Sequence, residues 1–322
     1  MNILFCSAGR RAELLKDFRK SLSFGSKIIT TDMSNLAPAI YFADKNYIVP
    51  SINDEKYIDS IIQICKDERI DAITTLIDPE IEILSNNRDA FEKIGVTVLA
   101  PYTNTAAICF DKYALFQHLK SNGIPTADTY DSFYEALKAI ECGKLNFPVF
   151  VKPRTGSGSV GARKIETIDA LENACETDTS LIIQEFMDCI DIDADVYIDT
   201  ISHSPVSIFT KRKLETKIGG ASKTVSFKDD RAVNFICNAL KNLQFNGPID
   251  MDLFYKNGQY YLSEINPRFG GAYLHAYGAG VDFVKLIENN INGIANTPCF
   301  YNYEEGVVMM MYDSVVIEKI SL

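Results

Sequence analysis

The stretch Ile249-Asp-Met-Asp-Leu-Phe-Tyr-Lys-Asn-Gly-Gln-Tyr-Tyr-Leu-Ser-Glu-Ile-Asn-Pro-Arg268 decides how the second half of this 322-residue chain folds. Two of its segments, 249–255 and 259–265, are rich in apolar and aromatic residues, and each predicts a strand. The tripeptide Lys256-Asn257-Gly258 between them is typical of a tight hairpin turn. The stretch therefore predicts two adjacent antiparallel strands.

Three polar side chains of this hairpin form a candidate metal site. Residues two apart in a strand share a face, so Glu264 and Asn266 project together and Asp252 can face them from the adjacent strand. Two carboxylates and an amide supply the hard oxygen ligands that Mg²⁺ prefers. A structural carboxylate cluster is the alternative, but its burial would be costly without a cation. Arg268 adds a planar fork of donors for a phosphate or a carboxylate.

A glycine-rich loop with a lysine before it is the second signal. Segments 147–152 and 163–165 predict strands, and Gly156-Ser157-Gly158-Ser159-Val160-Gly161 lies between them. Glycine backbones can approach phosphates closely and donate N–H groups, while Lys152 supplies a positive charge. The spacing G-x-G-x-x-G is present, but a strand follows it, whereas a dinucleotide-binding motif requires a helix. A structural hairpin loop is the alternative.

An acidic hinge is a weaker signal. Glu185-Phe-Met-Asp188, Asp191 and Asp193 lie between strands predicted at 181–184 and 195–201. Such a hinge can offer backbone groups to an adenine edge, and a carboxylate there can accept hydrogen bonds from ribose hydroxyls. A solvated acidic turn is nearly as good an interpretation.

A basic run, Lys211-Arg212-Lys213, is predicted at the end of a strand, close to the Gly219-Gly220 pair. The chain carries a net charge of −11, so any phosphate site must provide its own positive field. A phosphate contact and a solvated basic face are equally good interpretations of this run.

The first hundred residues alternate strand and helix. Strands are predicted at 3–5, 27–31, 71–77 and 96–100, and apolar periodicity predicts helices between them, one of which carries Ile81, Leu84, Phe91 and Ile94. This order implies a parallel, doubly wound sheet. A pocket is expected beyond the strand ends, near Ser7, Gly9, Arg10, Asp32 and Asp78. No G-x-G-x-x-G follows the first strand, so a tight turn is an equally good interpretation of residues 6–9.

Composition excludes several classes of protein. Hydrophobic residues make up 47% and charged residues 23%, which is typical of a globular protein. The acidic charge disfavours nucleic acid and anionic membranes as partners. The eight cysteines are scattered without a C-x-x-C pair, so we expect neither zinc nor disulfides. No apolar run is long enough to span a bilayer, and we expect the protein in the cytoplasm.

Taken together, these motifs resemble the ATP-grasp superfamily, and in particular single-unit relatives of the carbamoyl-phosphate synthase large subunit. The resemblance covers residues 101–285 and rests on Asp111-Lys112, Val151-Lys152-Pro153, the 156–161 loop, Gln184-Glu185-Phe186 and Glu264-Ile-Asn-Pro-Arg268. It implies an α/β protein with a doubly wound parallel-sheet domain at 1–100. An α+β ATP-grasp fold would follow, with subdomains at 101–183 and 184–322 that clasp ATP.

The resemblance also implies a role for each candidate residue. Asp252, Glu264 and Asn266 would hold Mg²⁺ or Mn²⁺, and Arg268 and Lys152 would act on the transferring phosphoryl group. Where this chain has Asp191 or Asp193 for the ribose, the family more often has glutamate. The implied ATP-binding residues are Lys112, Lys152, Gly156, Ser157, Gly158, Ser159, Gln184, Glu185, Phe186, Met187, Asp191, Asp193, Lys211 and Arg212.

The reaction that the resemblance implies is a ligation in two steps. A small-molecule carboxylate attacks the γ-phosphate of ATP to give an acyl phosphate and ADP, and an amine then attacks the activated carbonyl. A homodimer would be compatible with this resemblance. A small-molecule kinase and a non-catalytic ATP-binding regulatory protein of the same fold are the alternatives.

Overall fold

Three β-sheets and the helices that cover them make up the protein. The computed structural model describes residues 1–156, 158, 160–217 and 220–319. Serine residues 157 and 159, two of the predicted ATP-binding residues, lie outside the described residues. No helix in the described part of the chain combines the length and apolar character that crossing a membrane requires.

The first sheet has five parallel strands, in the order β3-β2-β1-β4-β5, and confirms the predicted doubly wound domain. The edge of this sheet at which its strands end lies next to the third sheet, where Asp78 contacts Arg268. The elements of this domain are β1 (Asn2–Cys6), α1 (Ala12–Ser21), β2 (Lys27–Asp32), a 3-10 helix (Pro38–Phe42), β3 (Lys45–Ile48), α2 (Tyr57–Glu68), β4 (Ala72–Thr75), α3 (Asp78–Asn86), α4 (Arg88–Glu92) and β5 (Thr97–Val98).

One helix of this domain differs from the prediction. The periodic segment from Ile81 to Ile94 is not a single helix, because α3 ends at Asn86 and α4 begins at Arg88. Asn87 between them turns its side-chain Nδ2 back to the carbonyl oxygen of Ile83, at 2.9 Å. An asparagine that binds the backbone in this way competes with helical hydrogen bonding and ends the helix.

The second sheet has four strands, all antiparallel, in the order β6-β9-β7-β8. Strands β7 and β8 flank the glycine-rich loop, as predicted. The elements of this part are α5 (Thr103–Phe110), α6 (Lys112–Ser121), β6 (Thr129–Tyr130), α7 (Phe133–Glu141), β7 (Val149–Pro153), β8 (Arg163–Ile165), α8 (Ile168–Thr177) and β9 (Leu181–Glu185).

The third sheet has six antiparallel strands, in the order β14-β13-β10-β11-β12-β15. Helix α9 packs on one face of it through a cluster of buried apolar side chains. The elements of this part are β10 (Ile190–Ile198), β11 (Pro205–Lys217), β12 (Gly220–Ser226), α9 (Asp230–Leu240), β13 (Gly247–Lys256), β14 (Gln259–Asn266), α10 (Tyr273–Gly278), α11 (Phe283–Ile291) and β15 (Val308–Met310).

The predicted hairpin is confirmed as β13 and β14. Lys256 pairs with Gln259, so the turn contains two residues, Asn257 and Gly258. Both have positive φ angles, 52° and 84°. This is the backbone of a type I′ turn, whose twist matches that of the strands it joins.

Two predictions about the sheet's strands were wrong. Strand β10 begins at Ile190, five residues before the predicted start, so Asp191 and Asp193 belong to the strand and not to a turn. Lys211, Arg212 and Lys213 lie within β11 and not at its end. Both errors have one cause. The face of this sheet that is turned toward the four-stranded sheet, which we call the inner face, carries charged side chains where a period-two pattern normally has apolar residues.

The parallel-sheet domain packs directly against the last helices. Phe18 of α1 meets Phe269 edge to face, with ring centroids 5.4 Å apart, and Phe269 in turn contacts Phe283 of α11. Arg11 strengthens this junction by donating to the carbonyl oxygen of Gly270 at 2.6 Å. The junction fixes the carboxyl edge of the first sheet next to the inner face of the third.

Candidate active site

A cavity of about 780 Å³ lies between the two antiparallel sheets. We call it the inter-sheet cavity. Its volume falls in the range of roughly 300–1,000 Å³ that is usual for small-molecule sites. Many of the predicted site residues meet here, namely Lys112, Lys152, Gly156, Gly158, Gln184, Glu185, Phe186, Met187, Asp191, Asp252 and Glu264.

The register of the six-stranded sheet sets out the charged residues in rows. Lys211 pairs with Asp193, Asp193 with Asp252, and Asp252 with Glu264, across four neighbouring strands. Directly paired residues project from the same face of a sheet. One row of this face therefore carries charged side chains on four neighbouring strands.

The predicted metal ligands lie together on this face. Asn266 Nδ2 lies 3.4 Å from Asp252 Oδ2, which leaves the amide oxygen of Asn266 free to face another group. Lys152 Nζ donates to Glu264 Oε1 at 2.9 Å, and Lys213 Nζ donates to Asp252 Oδ1. Each carboxylate thus has an ammonium partner as well as a neighbouring acid.

The environment of these carboxylates explains their pKa shifts. Burial raises the pKa of Asp252, and Lys213 offsets this only in part because Asp250 and Glu264 add negative charge nearby. Burial also acts to raise the pKa of Glu264, but Lys152 and Lys112 together lower it below its ordinary value. Crowded carboxylate oxygens of this kind suit a hard divalent cation such as Mg²⁺, so the donor set fits the metal.

Lys112 connects the glycine-rich loop to the inner face. Its Nζ donates to the carbonyl oxygen of Gly156 at 2.7 Å, and its backbone N–H donates to Arg154 O at 3.0 Å. Asp111 caps the helix that Lys112 begins and also accepts from Arg154 Nε at 2.8 Å. Burial lowers the pKa of Lys112. The two lysines 112 and 152 therefore approach the cavity from different elements.

The predicted hinge also lines the cavity. Gln184 is buried, and its Nε2 donates to Thr129 Oγ1 at 2.9 Å. At the last residue of β9, the backbone N–H of Glu185 donates to Asp128 O at 2.8 Å. The next two residues, Phe186 and Met187, present side chains to the cavity, and Asp191 follows on β10. This arrangement offers an apolar wall beside an acidic group.

Three predicted ATP-binding residues lie away from the cavity. Lys211 is fully buried, 3.1 Å from Asp193 Oδ1 and hydrogen-bonded to Asp195. Arg212 points to the opposite face, with its guanidinium 5.1 Å from the centre of the Phe227 ring. Asp193 projects from the same face of β10 as Asp191, but it is buried and does not line the cavity. A pattern of alternate residues therefore could not distinguish the two.

Asp193, Asp195 and Asp250 form an acidic cluster whose carboxylate oxygens lie within 4.8 Å of one another. The ammonium group of Lys211 already lies among them. Burial alone would lower the pKa of Lys211, but Asp193 and Asp195 raise it above its ordinary value. This cluster is a buried network of ion pairs in the sheet that forms one wall of the cavity.

Arg268 joins this face to the parallel-sheet domain. Its Nε lies 2.9 Å from Asp78 Oδ1, and its Nη1 donates to Asp250 Oδ2 at 3.1 Å. Asp78 is the first residue of α3. A Cβ on residue 270 would lie only 2.5 Å from Asp250 Oδ1. Glycine at this position therefore allows the backbone to pack against the ion pair between Arg268 and Asp250.

Of the residues predicted to line a pocket in the first domain, Asp78 contacts Arg268. Asp32 is used locally, accepting from the backbone N–H of Gly9 at 2.9 Å, and Arg10 is exposed. The tight turn that follows β1 spans residues 8–11 and is closed by the backbone N–H of Arg11, which donates to Ala8 O at 3.1 Å.

Several residues that line the inter-sheet cavity were left out of the predicted site, Lys213 and Phe254 among them. Asp250, which accepts a hydrogen bond from Arg268, was also given no role. Each of these three residues lies two positions from a residue that was singled out, so the period of two in a strand was the available signal.

Known proteins share this architecture. Residues 109–272 match the family model described as ATP-grasp domain, and residues 3–99 match the one described as PylC-like, N-terminal domain. N5-carboxyaminoimidazole synthetase from Staphylococcus aureus, complexed with ADP, superposes with a TM-score of 0.74 at 18% identity, covering 92% of this chain and 78% of that chain. That likeness shows the fold.

Two curated relatives are named as a ligase and a synthase. The D-alanine–D-alanine ligase of Bacillus anthracis is 24% identical over 270 residues, which cover 76% of this chain and 88% of that protein. A carbamoyl-phosphate synthase of Methanobrevibacter smithii is 25% identical over 287 residues, which cover 84% of this chain and 75% of that protein.

Proposed function

The chain belongs to the ATP-grasp family, and we propose that it is an ATP-dependent ligase that joins a small-molecule carboxylate to an amine. The carboxylate is activated as an acyl phosphate, and ADP and phosphate are released. Relatives named as ligases and synthases support this assignment, since they match most of the chain.

One observation carries the proposal. Lys112 and Lys152, two cations from different elements, line the same cavity as Asp252 and Glu264, which are paired residues of the hairpin. Phosphoryl transfer needs positive charge on the phosphates and hard oxygen ligands for their metal at one place. The inter-sheet cavity provides both.

We assign ATP to this cavity. Gln184, Glu185, Phe186 and Met187 would contact the adenine, and Asp191 would accept from ribose hydroxyls. Lys112 and Lys152 would hold the phosphates beneath the loop that contains Gly156 and Gly158. Lys213 joins this set as a new member, because it lines the cavity where Lys211 and Arg212 do not.

Asp252, Glu264 and Asn266 would hold Mg²⁺ or Mn²⁺, which when bound supplies neutralising charge to the phosphates. Arg268 lies beside this set and would orient the carboxylate or the group in transfer. The chemistry is mainly positioning and charge stabilisation, so it requires no covalent nucleophile from the protein. A homodimer and subdomain boundaries near residues 100 and 183 also remain predictions.

A screen of carboxylate and amine pairs tests the assignment. With Mg-ATP, we expect phosphate release that requires both members of one pair. Glu264→Gln keeps the shape of the side chain but removes a metal-binding charge, and it should lower that release by roughly 100-fold or more. Glu172→Gln, at an exposed site on α8, is the matched control and should retain full activity.

The kinase alternative makes a different prediction in the same screen. A kinase would form ADP with one substrate alone and leave a stable phosphorylated product. Phosphate release from a pair, with loss in the Glu264 variant but not in the Glu172 variant, would support the ligase. ADP formation that never requires an amine would contradict it.

A further inference from the structure

A second, smaller cavity adjoins the inter-sheet cavity at the junction with the parallel-sheet domain. Its volume is about 20 Å³, and it shares Lys112, Gly156 and Glu264 with its larger neighbour. Its other walls come from α3, α5 and the end of β14. A group in this small cavity would lie next to the residues to which we assign the ATP phosphates and the metal.

Four charged side chains line the small cavity, and three of them have partners. Asp78 pairs with Arg268, Glu264 accepts from Lys152, and Lys112 donates to the carbonyl oxygen of Gly156. Arg268 is moreover shared with a second carboxylate, Asp250. The walls therefore carry more negative than positive charge.

Glu82 is the fourth charged residue. It projects from α3 into the small cavity and is half-buried. Within residues 1–156, 158, 160–217 and 220–319 its carboxylate makes no hydrogen bond or ion pair, unlike the other three. A carboxylate that is partly withdrawn from water and lacks a partner in a cavity wall attracts a cation that can donate hydrogen bonds.

The rest of the wall is apolar and limits what the cation can be. Ile81, Ala106 and Phe110 face the same space. A cavity of this size accommodates one or two atoms the size of water, since a single water needs roughly 10–15 Å³ by this measure. An ammonium group with a small apolar substituent matches both the charge and the size, whereas a hydrated metal ion does not match the apolar wall.

We propose that Glu82 and the small cavity form the subsite for the amine substrate, which binds as a primary ammonium group. The ammonium group gives one proton to the Glu82 carboxylate before its nitrogen bonds to the acyl carbon. The second proton leaves with the phosphate as the bond between the acyl carbon and the phosphate oxygen breaks. The inference rests on the proposed ligase function, because it names the class of the second substrate. It places the nitrogen next to Lys112 and Glu264, which line both cavities. The amine would therefore lie beside the phosphate end of the proposed ATP site, where the activated carbonyl forms.

Charged and neutral nucleophiles test this subsite. With the carboxylate found in the screen, hydroxylamine, which is mostly uncharged near neutral pH, should give a hydroxamate. Methylammonium, which is charged, should react or inhibit competitively. In Glu82→Gln the apparent KM or inhibition constant of methylammonium should rise about 10- to 100-fold, while that of hydroxylamine changes by less than about threefold. Glu82→Asp should lie between Gln and wild type.

Controls separate failure of the subsite from failure of the function. Glu55→Gln, at an exposed position of the same domain, should behave as wild type. If hydroxamate forms but methylammonium neither reacts nor inhibits, or if Glu82→Gln affects both nucleophiles equally, the subsite is contradicted. If no carboxylate supports ADP release in the wild-type protein, the ligase function fails, and the subsite fails with it.

Discussion

Lys211 has no access to solvent and contacts the carboxylates of Asp193 and Asp195. Replacing it with methionine would keep much of the side-chain volume but leave these acids without their cation. Removal of one partner from a buried ion pair costs about 3–5 kcal/mol. We therefore expect Lys211→Met to lower the free energy of unfolding by about that amount, measured by urea denaturation near neutral pH.

Arg212 is the matched control for this change, since it is the next residue on the same strand and is exposed. Arg212→Met should cost less than about 1 kcal/mol, through its contact with Phe227. Equal losses in the two variants would mean that the buried network does not stabilise the sheet as described.

Arg268 is expected to matter for chemistry more than for nucleotide binding. Its guanidinium uses separate nitrogens for Asp78 and Asp250, a geometry that lysine cannot reproduce. Arg268→Lys should lower hydroxamate formation roughly 100-fold while the Kd for Mg-ATP changes by less than about threefold. Arg212→Lys serves as the control in both assays, and an effect on Kd as large as that on rate would contradict the assigned role.

At the residue scale, sequence patterns singled out charged residues of the inner face but did not predict how deeply each of them is buried. The two-residue turn alone would pair Asp252 with Ser263, and an irregularity in the pairing next to Leu253 brings Glu264 opposite Asp252 instead. The hairpin could therefore be predicted from the sequence, but the exact pairing of its acids could not. Asp191 and Asp193 share one face of β10, so only the position of the cavity along the strand separates them. The position of the cavity depends on how the two sheets pack together, and the sequence of a single strand does not determine that packing.

His275 provides a test at the scale of elements, because it links α10, β12 and the segment before β15. Its ring contacts Thr224 Oγ1 at 2.7 Å through Nδ1 and Val307 O at 3.0 Å through Nε2. Burial, together with the charge of Lys211, lowers the pKa of His275 from 6.5 to about 4. The folded protein therefore holds the neutral ring where an unfolded chain would bind a proton.

The sign of the resulting pH effect follows from linkage. Between pH 6.5 and about 4 the unfolded state binds more protons at this site, so stability falls as the pH is lowered through this window. His275→Gln should lose less stability than wild type between neutral pH and the lower end of the window, as measured by urea denaturation. Parallel pH profiles for the two proteins would show that this histidine is not the titrating group.

Strands and helices whose buried positions are apolar could be predicted from the sequence. Strands that are exposed, or that bury charged residues, could not. The parallel sheet and the β13–β14 hairpin were correctly predicted because their buried positions are apolar and their turns are distinctive. Strand β3 was missed because it is a largely exposed edge with the sequence Lys-Asn-Tyr-Ile. Strand β10 was predicted to start too late because its inward acids are stabilised by Lys211 on β11, a tertiary contact that propensity does not include.

At the scale of the whole molecule, Mg-ATP should connect the two antiparallel sheets. The inter-sheet cavity takes its walls from both, so a ligand there stabilises the folded state by mass action. At about 100 times its Kd, Mg-ATP should add about 2.7 kcal/mol to the free energy of unfolding. Glu264→Gln should reduce this gain for Mg-ATP, and ATP with a chelator should give less than Mg-ATP in wild type. No shift with saturating Mg-ATP would contradict the assigned site.

The most direct test of the ligase follows the oxygen atoms. The account requires a carboxylate oxygen to attack the γ-phosphate and to leave with it when the amine attacks. With a carboxylate substrate labelled with heavy oxygen, Mg-ATP and the amine, phosphorus NMR should show one labelled oxygen in the released inorganic phosphate. Unlabelled phosphate released while the amide product forms, with the displaced labelled oxygen found in water or in a nucleotide, would contradict activation through an acyl phosphate.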